Sequence, residues 1–300
     1  MNDHLERIKK QIKSGDALYK LLMVNILVYL LFVIINVGSK LILGAEGGGI
    51  LTEYLYPFTA LSSDFSTLLF KPWTLLTHLF VHDLGPWHLI GNMMYLYFLG
   101  RLFLEYFSQK QLVSLYFLAG LAGALMLLIV ANLSPLFQND TIAYGASAAV
   151  LGIVAAISFY APTKEIFLFG IFKVQLQYIG IVLILTDLIF FDDGNAGGRV
   201  AHLGGAAAGL YFALQQKKGK DISAPLARLI DRVVTLFSPG PKTRMSVSHS
   251  RVRKMTDEEY NLVRKASQEQ IDEILDKISK SGYESLSKKE KELLFQYSKK

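Results

Sequence analysis

The sequence AHLGGAAAG, residues Ala201–Gly209, sets one ionisable side chain, His202, in a run of small and apolar residues. Gly205 and Gly209 are four residues apart, so they lie on the same face of a helix. Small residues at this spacing let two membrane helices approach each other closely. The stretch therefore predicts a tightly packed membrane helix that carries a histidine near its beginning.

The composition of the chain indicates a membrane protein. Of its 300 residues, 52% are hydrophobic, and these are gathered in long runs. The net charge of +6 suits anionic lipid headgroups, and we expect the lipid bilayer and no nucleic acid as a partner. The chain has no cysteine, which excludes disulfides, thiolate metal sites and cysteine catalysis. We expect no metal and no cofactor.

Six segments have the apolar character of membrane spans, each close to the roughly 20 residues that a spanning helix needs. They are Leu21–Val37, Trp87–Phe107, Leu112–Leu133, Tyr144–Tyr160, Val174–Phe191 and Val200–Gln215. The first follows a charged segment and has no small-residue cleavage site after it, so we expect it to be retained. These segments predict an all-α membrane protein with a six-transmembrane-helix bundle.

The positive charges of the short loops predict the orientation of this bundle. Five Lys or Arg residues precede the first span, and Lys217, Lys218 and Lys220 follow the sixth. The loop between the third and fourth spans, 133–143, has none. Cytoplasmic loops carry the excess of Lys and Arg, so both termini are expected in the cytoplasm. The second, fourth and sixth spans then all run from the outside inward.

The sequence divides into four parts under this scheme. Residues 1–20 form a cytoplasmic N-terminus, and residues 21–216 form the six-helix domain. Its first external loop, Gly38–Pro86, is apolar and carries Trp73, so we expect it to lie in the outer interface. Residues 217–253 contain an amphipathic surface helix and a linker, and residues 254–300 form a small helical cytoplasmic tail.

Four polar side chains stand within one or two turns of the outer ends of three parallel spans. They are His88 and Asn92 in the second span, Ser147 in the fourth and His202 in the sixth. Polar groups inside a membrane are costly and commonly mark function. Because the three helices run in the same direction, these side chains are expected at similar depth and able to meet in one cavity.

The chemistry of the four groups is that of amide hydrolysis. A serine becomes nucleophilic when a base such as imidazole takes its proton, which predicts Ser147 as nucleophile and His202 as base. The backbone N–H of Ser147, the Asn92 amide and a His88 ring nitrogen can form an oxyanion hole. Asp187, in the fifth span, is either a third member or a structural partner, and we expect a Ser–His dyad. His78 and His82 in the loop are interpreted as interfacial side chains.

These motifs resemble those of rhomboid proteases. Ala201-His202-x-x-Gly205-x-x-x-Gly209 is similar to the family's sixth-helix signature, Gly145-Ala146-Ser147 to its Gly-x-Ser-Gly motif, and His88-x-x-x-Asn92 to its second-helix oxyanion pair. Arg101 and Glu105 resemble structural charges at the end of that helix. The resemblance covers about 21–215. The tail from Arg251 onward resembles, much more weakly, the C-terminal extensions of some bacterial rhomboids.

The resemblance implies an intramembrane serine endopeptidase that cleaves transmembrane protein substrates. It also implies a multi-pass protein of a bacterial inner membrane, with the active site opening to the outer side. Two positions depart from the family pattern. Ala148 stands where the motif has glycine, and Leu151 stands where some relatives place an aromatic ring against the histidine.

Two other functions are compatible with a polar membrane bundle. A catalytically inactive rhomboid-like binder or adaptor would use the same fold to recognise membrane helices, but such relatives typically lack the serine or the histidine. A transporter would need polar groups through both leaflets, whereas those of this chain gather in one leaflet.

Overall fold

The structure of the chain, a computed structural model, describes residues 16–44, 49–137, 141–168, 170–191, 194–237, 271–287, 290, 291 and 294. Compact packing divides the chain into two units, Met1–Phe237 and Ser238–Lys300. Most of the predicted N-terminal segment, 1–20, and the predicted linker in 238–253 lie outside the described residues, as does the beginning of the tail.

Each of the six predicted spans corresponds to a helix in the first unit. We number the α-helices of this unit in chain order and include the four-to-six-residue helices of the long loop after the first span. The helices are α1 Ala17–Leu43, α2 Tyr56–Thr59, α3 Phe65–Phe70, α4 Thr74–Thr77, α5 Pro86–Tyr106, α6 Gln109–Leu133, α7 Ser147–Tyr160, α8 Leu176–Ile189, α9 Ala196–Lys217 and α10 Ala224–Phe237.

Helix α7 is the centre of the bundle. Every residue from Ala148 to Ser158 is buried, because α5, α6, α8 and α9 all pack against it. A helix that is apolar on all sides is stable only in such a central position. The core around it is completed by fully buried aromatic side chains, which include Phe103 of α5, Tyr116 of α6 and Phe212 of α9.

The outer surface of the bundle is strongly apolar. On α1, the side chains of Leu27, Ile34 and Leu41 are 57%, 67% and 81% exposed. Such a continuous exposed apolar face is disfavoured in water and marks a surface that lipid or a partner covers. By length and composition, α1 and α6 are long and apolar enough to cross a membrane, and α7 and α8 are shorter apolar helices.

The ends of the helices differ from several predicted boundaries. Helix α7 begins at Ser147 and not at Tyr144, because Gly145 has a φ of +130°, outside the helical region. Helix α9 is longer than predicted, and it begins at Ala196 because the Asn195 side chain caps it by accepting a hydrogen bond from the Gly198 N–H at 3.2 Å. Helix α1 extends to Leu43.

The predicted start of the fifth span, at Val174, is wrong. A β-hairpin, β3 Glu165–Leu168 with β4 Phe172–Gln175, occupies the segment after α7, and α8 begins only at Leu176. Alternating polar and apolar residues in 172–175 are typical of a strand. Lys173 and Glu165 also form an ion pair across the hairpin, at 3.7 Å.

The described part of the long loop between α1 and α5 is largely helical. A π-helical turn, Leu51–Leu55, precedes α2, and the 3₁₀ turn His78–Phe80 follows α4. A short antiparallel pair joins this loop to the segment before α7, through β1 Leu61–Ser62 and β2 Ile142–Ala143. The loop is therefore attached by backbone hydrogen bonds to the segment that leads into Ser147.

Two elements outside the bundle match predicted features. Helix α10 exposes apolar side chains along one face, with Leu229 55%, Val233 46% and Leu236 80% exposed, as an amphipathic surface helix would. In the second unit, residues 271–281 are helical with Ile271 and Ile274 buried. Lys277 pairs with Glu290 there at 2.9 Å.

Candidate active site

Ser147 is the first residue of α7, and the glycine two positions before it shapes the turn that presents it. The N–H of Gly145 donates a 2.8 Å hydrogen bond to the carbonyl of His78. With φ at +130°, the position strongly favours glycine. A Cβ atom at Gly145 would lie 3.1 Å from the His88 ring and 3.5 Å from Ser147 Oγ. Gly145 thus lets the His88 ring approach the beginning of α7.

Small residues bring α9 against α7, as the GxxxG spacing predicts. A Cβ atom added to Gly205 would lie 2.1 Å from the carbonyl oxygen of Ala148, and one added to Gly209 would lie 2.0 Å from that of Gly152. The two backbones are therefore in direct contact, with no room for a side chain between them. This contact sets the distance between the elements that carry Ser147 and His202.

Ser147 and His202 meet beside that contact, at the beginning of α7. The Nε2 atom of His202 lies 2.6 Å from Ser147 Oγ, within the distance range of a strong hydrogen bond. A base within this distance of a serine hydroxyl can accept its proton as the hydroxyl attacks. The two residues that the sequence predicts as nucleophile and base are thus in hydrogen-bond contact.

The other nitrogen of the same imidazole contacts Asp187 of α8. The distance from His202 Nδ1 to Asp187 Oδ1 is 2.9 Å, and the Asp187 side chain is buried. Arg199, one turn before His202 on α9, also approaches Asp187 Oδ1, at 3.4 Å from its Nη1 atom. The sequence left the role of Asp187 open, because α8 and α9 are separate helices and the sequence pattern does not show which side of α8 faces α9.

His88 and Asn92 line the same cavity as Ser147. The Asn92 amide donates one hydrogen bond, of 2.8 Å, to the carbonyl of His88 one turn earlier. An asparagine amide has two N–H donors, so a second one is available for a ligand. The N–H of Ser147 is at a helix N-terminus, where backbone N–H groups have no acceptor within the helix. These are the three donors that the sequence predicts.

The cavity has a volume of about 360 Å³, which is enough for a small molecule or a short peptide segment. Leu151, Val154 and Leu183 contribute apolar surface, while Trp87 stands at its edge with 78% of its side chain exposed. The polar lining comes from Ser147, His202, His88, Asn92, Asp187, Asn195, Arg199 and Thr186. The cavity therefore combines an apolar wall with polar groups concentrated around one serine.

The two departures from the family motifs affect the cavity differently. Ala148 is buried, and its methyl group lies 2.8 Å from where a Cβ atom of Gly123 would be. The extra methyl group therefore packs against α6, and the cavity lining does not include Ala148. Leu151 does line the cavity, so this position contributes an aliphatic side chain to the cavity wall in place of an aromatic ring.

Arg101 and Glu105 are at the opposite end of α5 from His88. Arg101 approaches Asp16 at 3.4 Å, and Glu105 approaches Lys164 at 3.2 Å. At about 1.5 Å of rise per residue, Arg101 is roughly 20 Å from His88 along the helix. These ion pairs join α5 to the beginning of α1 and to the segment after α7, which suits the structural role predicted for them.

His78 and His82 are not interfacial, contrary to the prediction from the sequence. Both are buried, with 4% and 1% of their surface exposed. Burial lowers the pKa of each from 6.5 to about 4. The His78 ring bonds the carbonyl of Thr74 at 2.7 Å, while its backbone carbonyl holds Gly145.

The apolar exterior of the bundle is typical of a helical membrane protein. The serine–histidine pair in its cavity has the residue types of a hydrolase site. Comparison with known proteins identifies the chain further. Residues 69–217 match the model of the rhomboid domain. The chain is 33% identical over 160 residues to RHOMBOID-like protein 12, mitochondrial, of Arabidopsis thaliana. That match covers 49% of this chain and 47% of the relative.

The chain therefore belongs to the rhomboid family, and it is an integral membrane protein. It spans about half the length of the curated relative that it matches. Residues 254–300 match a second model, a family of unknown function called DUF6576. That match coincides with the segment that the sequence predicts as a separate tail.

Proposed function

We propose that this protein is an intramembrane serine endopeptidase that cleaves transmembrane protein substrates. The observation that carries the proposal is the 2.6 Å contact between Ser147 Oγ and His202 Nε2, inside a bundle whose exterior is apolar. Membership of a family that includes serine intramembrane proteases supports it. An inactive member would have no need of an aligned nucleophile and base.

The reaction follows from the geometry of the site. As Ser147 Oγ attacks the carbonyl carbon of the scissile amide, His202 Nε2 takes the hydroxyl proton. The negative charge that develops on the carbonyl oxygen is stabilised by the Ser147 N–H, the Asn92 amide and a His88 ring nitrogen. His202 then gives the proton to the leaving amine nitrogen, and the amide bond breaks. Water hydrolyses the resulting acyl-enzyme by the same steps in the second half-reaction.

We also propose that α1 and α5–α9 all cross the bilayer, which makes the protein a six-span, multi-pass protein. Its cytoplasmic termini and its site near the outer surface follow from the positive charges of alternate loops. His88 is the third residue of α5, Ser147 the first of α7 and His202 the seventh of α9, so under this topology the site would lie in the outer leaflet. A bacterial inner membrane is the location that we propose.

The proposal is tested with purified protein, a single-span substrate and a fluorophosphonate probe that labels activated serines. We expect wild type to cleave the substrate and to take up the probe, and Ser147→Ala and His202→Ala to do neither while still being produced and folded. Cleavage by Ser147→Ala at the wild-type rate would refute the assignment. A wild-type protein that binds the substrate without cleaving it, and takes up no probe, would identify an inactive binder or adaptor.

A further inference from the structure

Both ring nitrogens of His202 are engaged by side chains from different helices. Nε2 lies 2.6 Å from Ser147 Oγ on α7, and Nδ1 lies 2.9 Å from Asp187 Oδ1 on α8. A neutral imidazole has one N–H and one lone pair, whereas an ionised carboxylate can only accept hydrogen bonds. Nδ1 must therefore carry the proton, which leaves the lone pair of Nε2 facing the serine hydroxyl. This is the tautomer that a general base for Ser147 requires.

We propose that Asp187 is the third member of the catalytic unit, a positioning residue that fixes the tautomer and orientation of His202. The proposal rests on the proposed function and deepens it, since the sequence predicts only a dyad. In serine hydrolases with such a triad, the carboxylate holds the imidazole and stabilises the imidazolium that forms during attack. Here it would come from the helix that packs beside α9.

Asp187 is paired with a positive charge as well as with His202. A buried carboxylate is costly unless it is paired and hydrogen-bonded, and the Asp187 side chain is only 10% exposed. Arg199 provides the compensating positive charge at 3.4 Å, and its guanidinium also lies 5.9 Å from the Phe190 ring. Arg199 is thus held between the end of α8 and the beginning of α9, next to the carboxylate. The same oxygen, Oδ1, faces both Arg199 and His202.

The cavity wall explains why His202 needs such a partner. Leu151 contributes only aliphatic surface to that wall, which cannot fix the rotation of an imidazole by a directed interaction. The Asp187 hydrogen bond is directional and fixes the ring plane. The alternative is a purely structural role, in which Asp187 serves only to pair Arg199 and join α8 to α9. The two roles make different predictions for an isosteric substitution.

The test compares Asp187→Asn with Asp231→Asn. The second variant is a matched removal of one carboxylate charge, from the exposed ion pair that Asp231 of α10 forms with Lys110 of α6. Asparagine can turn its amide nitrogen toward Nδ1 and so stabilise the wrong tautomer, without a change in size. We expect kcat to fall about 100-fold or more in Asp187→Asn with KM nearly unchanged, and Asp231→Asn to keep the wild-type kcat. Asp187→Glu, which restores the carboxylate, should recover part of the lost rate.

A second readout does not depend on turnover. In protein labelled with ¹⁵N-histidine, we assign the His202 signal by its loss in His202→Gln, and we expect the Nδ1-protonated form in wild type and a shift toward the Nε2-protonated form in Asp187→Asn. A kcat within twofold of wild type in Asp187→Asn, or an unchanged tautomer, would overturn the proposal. Cleavage that persists in Ser147→Ala would instead overturn the proposed function, so the two failures are distinguishable.

Discussion

At the scale of single residues, the oxyanion donors lead to the sharpest prediction. Among the described residues, the Asn92 side chain hydrogen-bonds only the His88 carbonyl of its own helix, so its removal should leave Ser147 and His202 in place. We expect Asn92→Ala to lose about 10-fold or more in kcat, since single donors to an oxyanion are worth at least that much. The measurement is kcat on a single-span substrate.

An isosteric variant provides the control for this prediction. Asn92→Asp keeps the size of the side chain but replaces a donor by an acceptor that would repel the developing oxyanion. It should lose at least as much rate as Asn92→Ala, and its melting temperature in detergent should fall, because the buried aspartate also loses the hydrogen bond to the His88 carbonyl. Equal kcat for wild type and both variants would remove Asn92 from the oxyanion hole.

The buried loop histidines predict a dependence of stability on pH. His78 has a pKa of about 4 in the folded protein, lowered by burial, and about 6.5 when unfolded. The unfolded chain therefore binds more protons between these values, so the free energy of unfolding falls as the pH drops from about 6.5 to about 4, by at most about 1.4 kcal/mol per pH unit for this residue. Above pH 6.5, His78 contributes no further change.

His78→Asn tests this source of acid sensitivity. An asparagine amide can replace the ring nitrogen that bonds the Thr74 carbonyl, but it does not titrate. We expect its unfolding midpoint, measured in detergent by denaturant or heat, to depend less steeply on pH across that window than the wild-type midpoint. Parallel pH profiles would show that the acid sensitivity arises elsewhere, for example at His82.

At the scale of helices, the contact between α7 and α9 predicts which glycines are indispensable. A methyl group at Gly209 would lie 2.0 Å from a backbone oxygen of α7, and a backbone cannot move aside as a flexible side chain can. We expect Gly209→Ala to lower the free energy of unfolding by about 1–3 kcal/mol, as overpacking does. It should also reduce cleavage, because any separation of the helices lengthens the Ser147–His202 contact.

Gly38 on α1 offers the matched control. No heavy atom lies within 4 Å of a Cβ atom built there, so Gly38→Ala should be neutral or should stabilise α1 by up to about 1 kcal/mol. Both variants are compared by thermal unfolding in detergent and by fluorophosphonate labelling. Loss of stability in Gly38→Ala and none in Gly209→Ala would contradict the packing explanation.

Some elements could be read from the sequence and others could not. The helical identity of all six predicted spans was correct because long apolar runs have few alternatives in a membrane. The hairpin Glu165–Gln175 was missed because its strands are short and lie between two apolar runs that hide the alternation. The start of α7 at Ser147 could be located only from the φ value of Gly145. The presence of a glycine in the sequence does not show whether the helix begins before or after it.

The candidate site shows the same division. Ser147, His202, His88 and Asn92 could be predicted because they are polar residues in apolar helices, where burial without function is costly. Asp187 also stands in an apolar helix, but its partner depends on how α8 rotates toward α9, which only the packed structure defines. The burial of His78 and His82 depends on the fold of the long loop, whose short helices carry no strong periodic signal.

At the scale of the whole molecule, the absence of cysteine from the chain makes its topology directly testable. Each single cysteine introduced is the only thiol, so labelling with a membrane-impermeant maleimide reports one position. Ser134, which follows α6, should lie outside, and Thr163, which follows α7, should lie inside. The reason is that the loop around Ser134 lacks Lys and Arg, whereas Lys164 precedes the hairpin after α7 and Lys173 lies in its second strand.

We expect Ser134→Cys to be labelled in intact cells or right-side-out vesicles, and Thr163→Cys only after permeabilisation. Cleavage activity of each variant serves as the control for correct folding. The opposite labelling pattern in active variants would invert the orientation and move the site at Ser147 to the cytoplasmic leaflet. It would also reverse the side from which water enters the cavity. The reason is that His88, Ser147 and His202 lie near those ends of their helices that are on the same side of the bundle as Ser134 under the proposed topology.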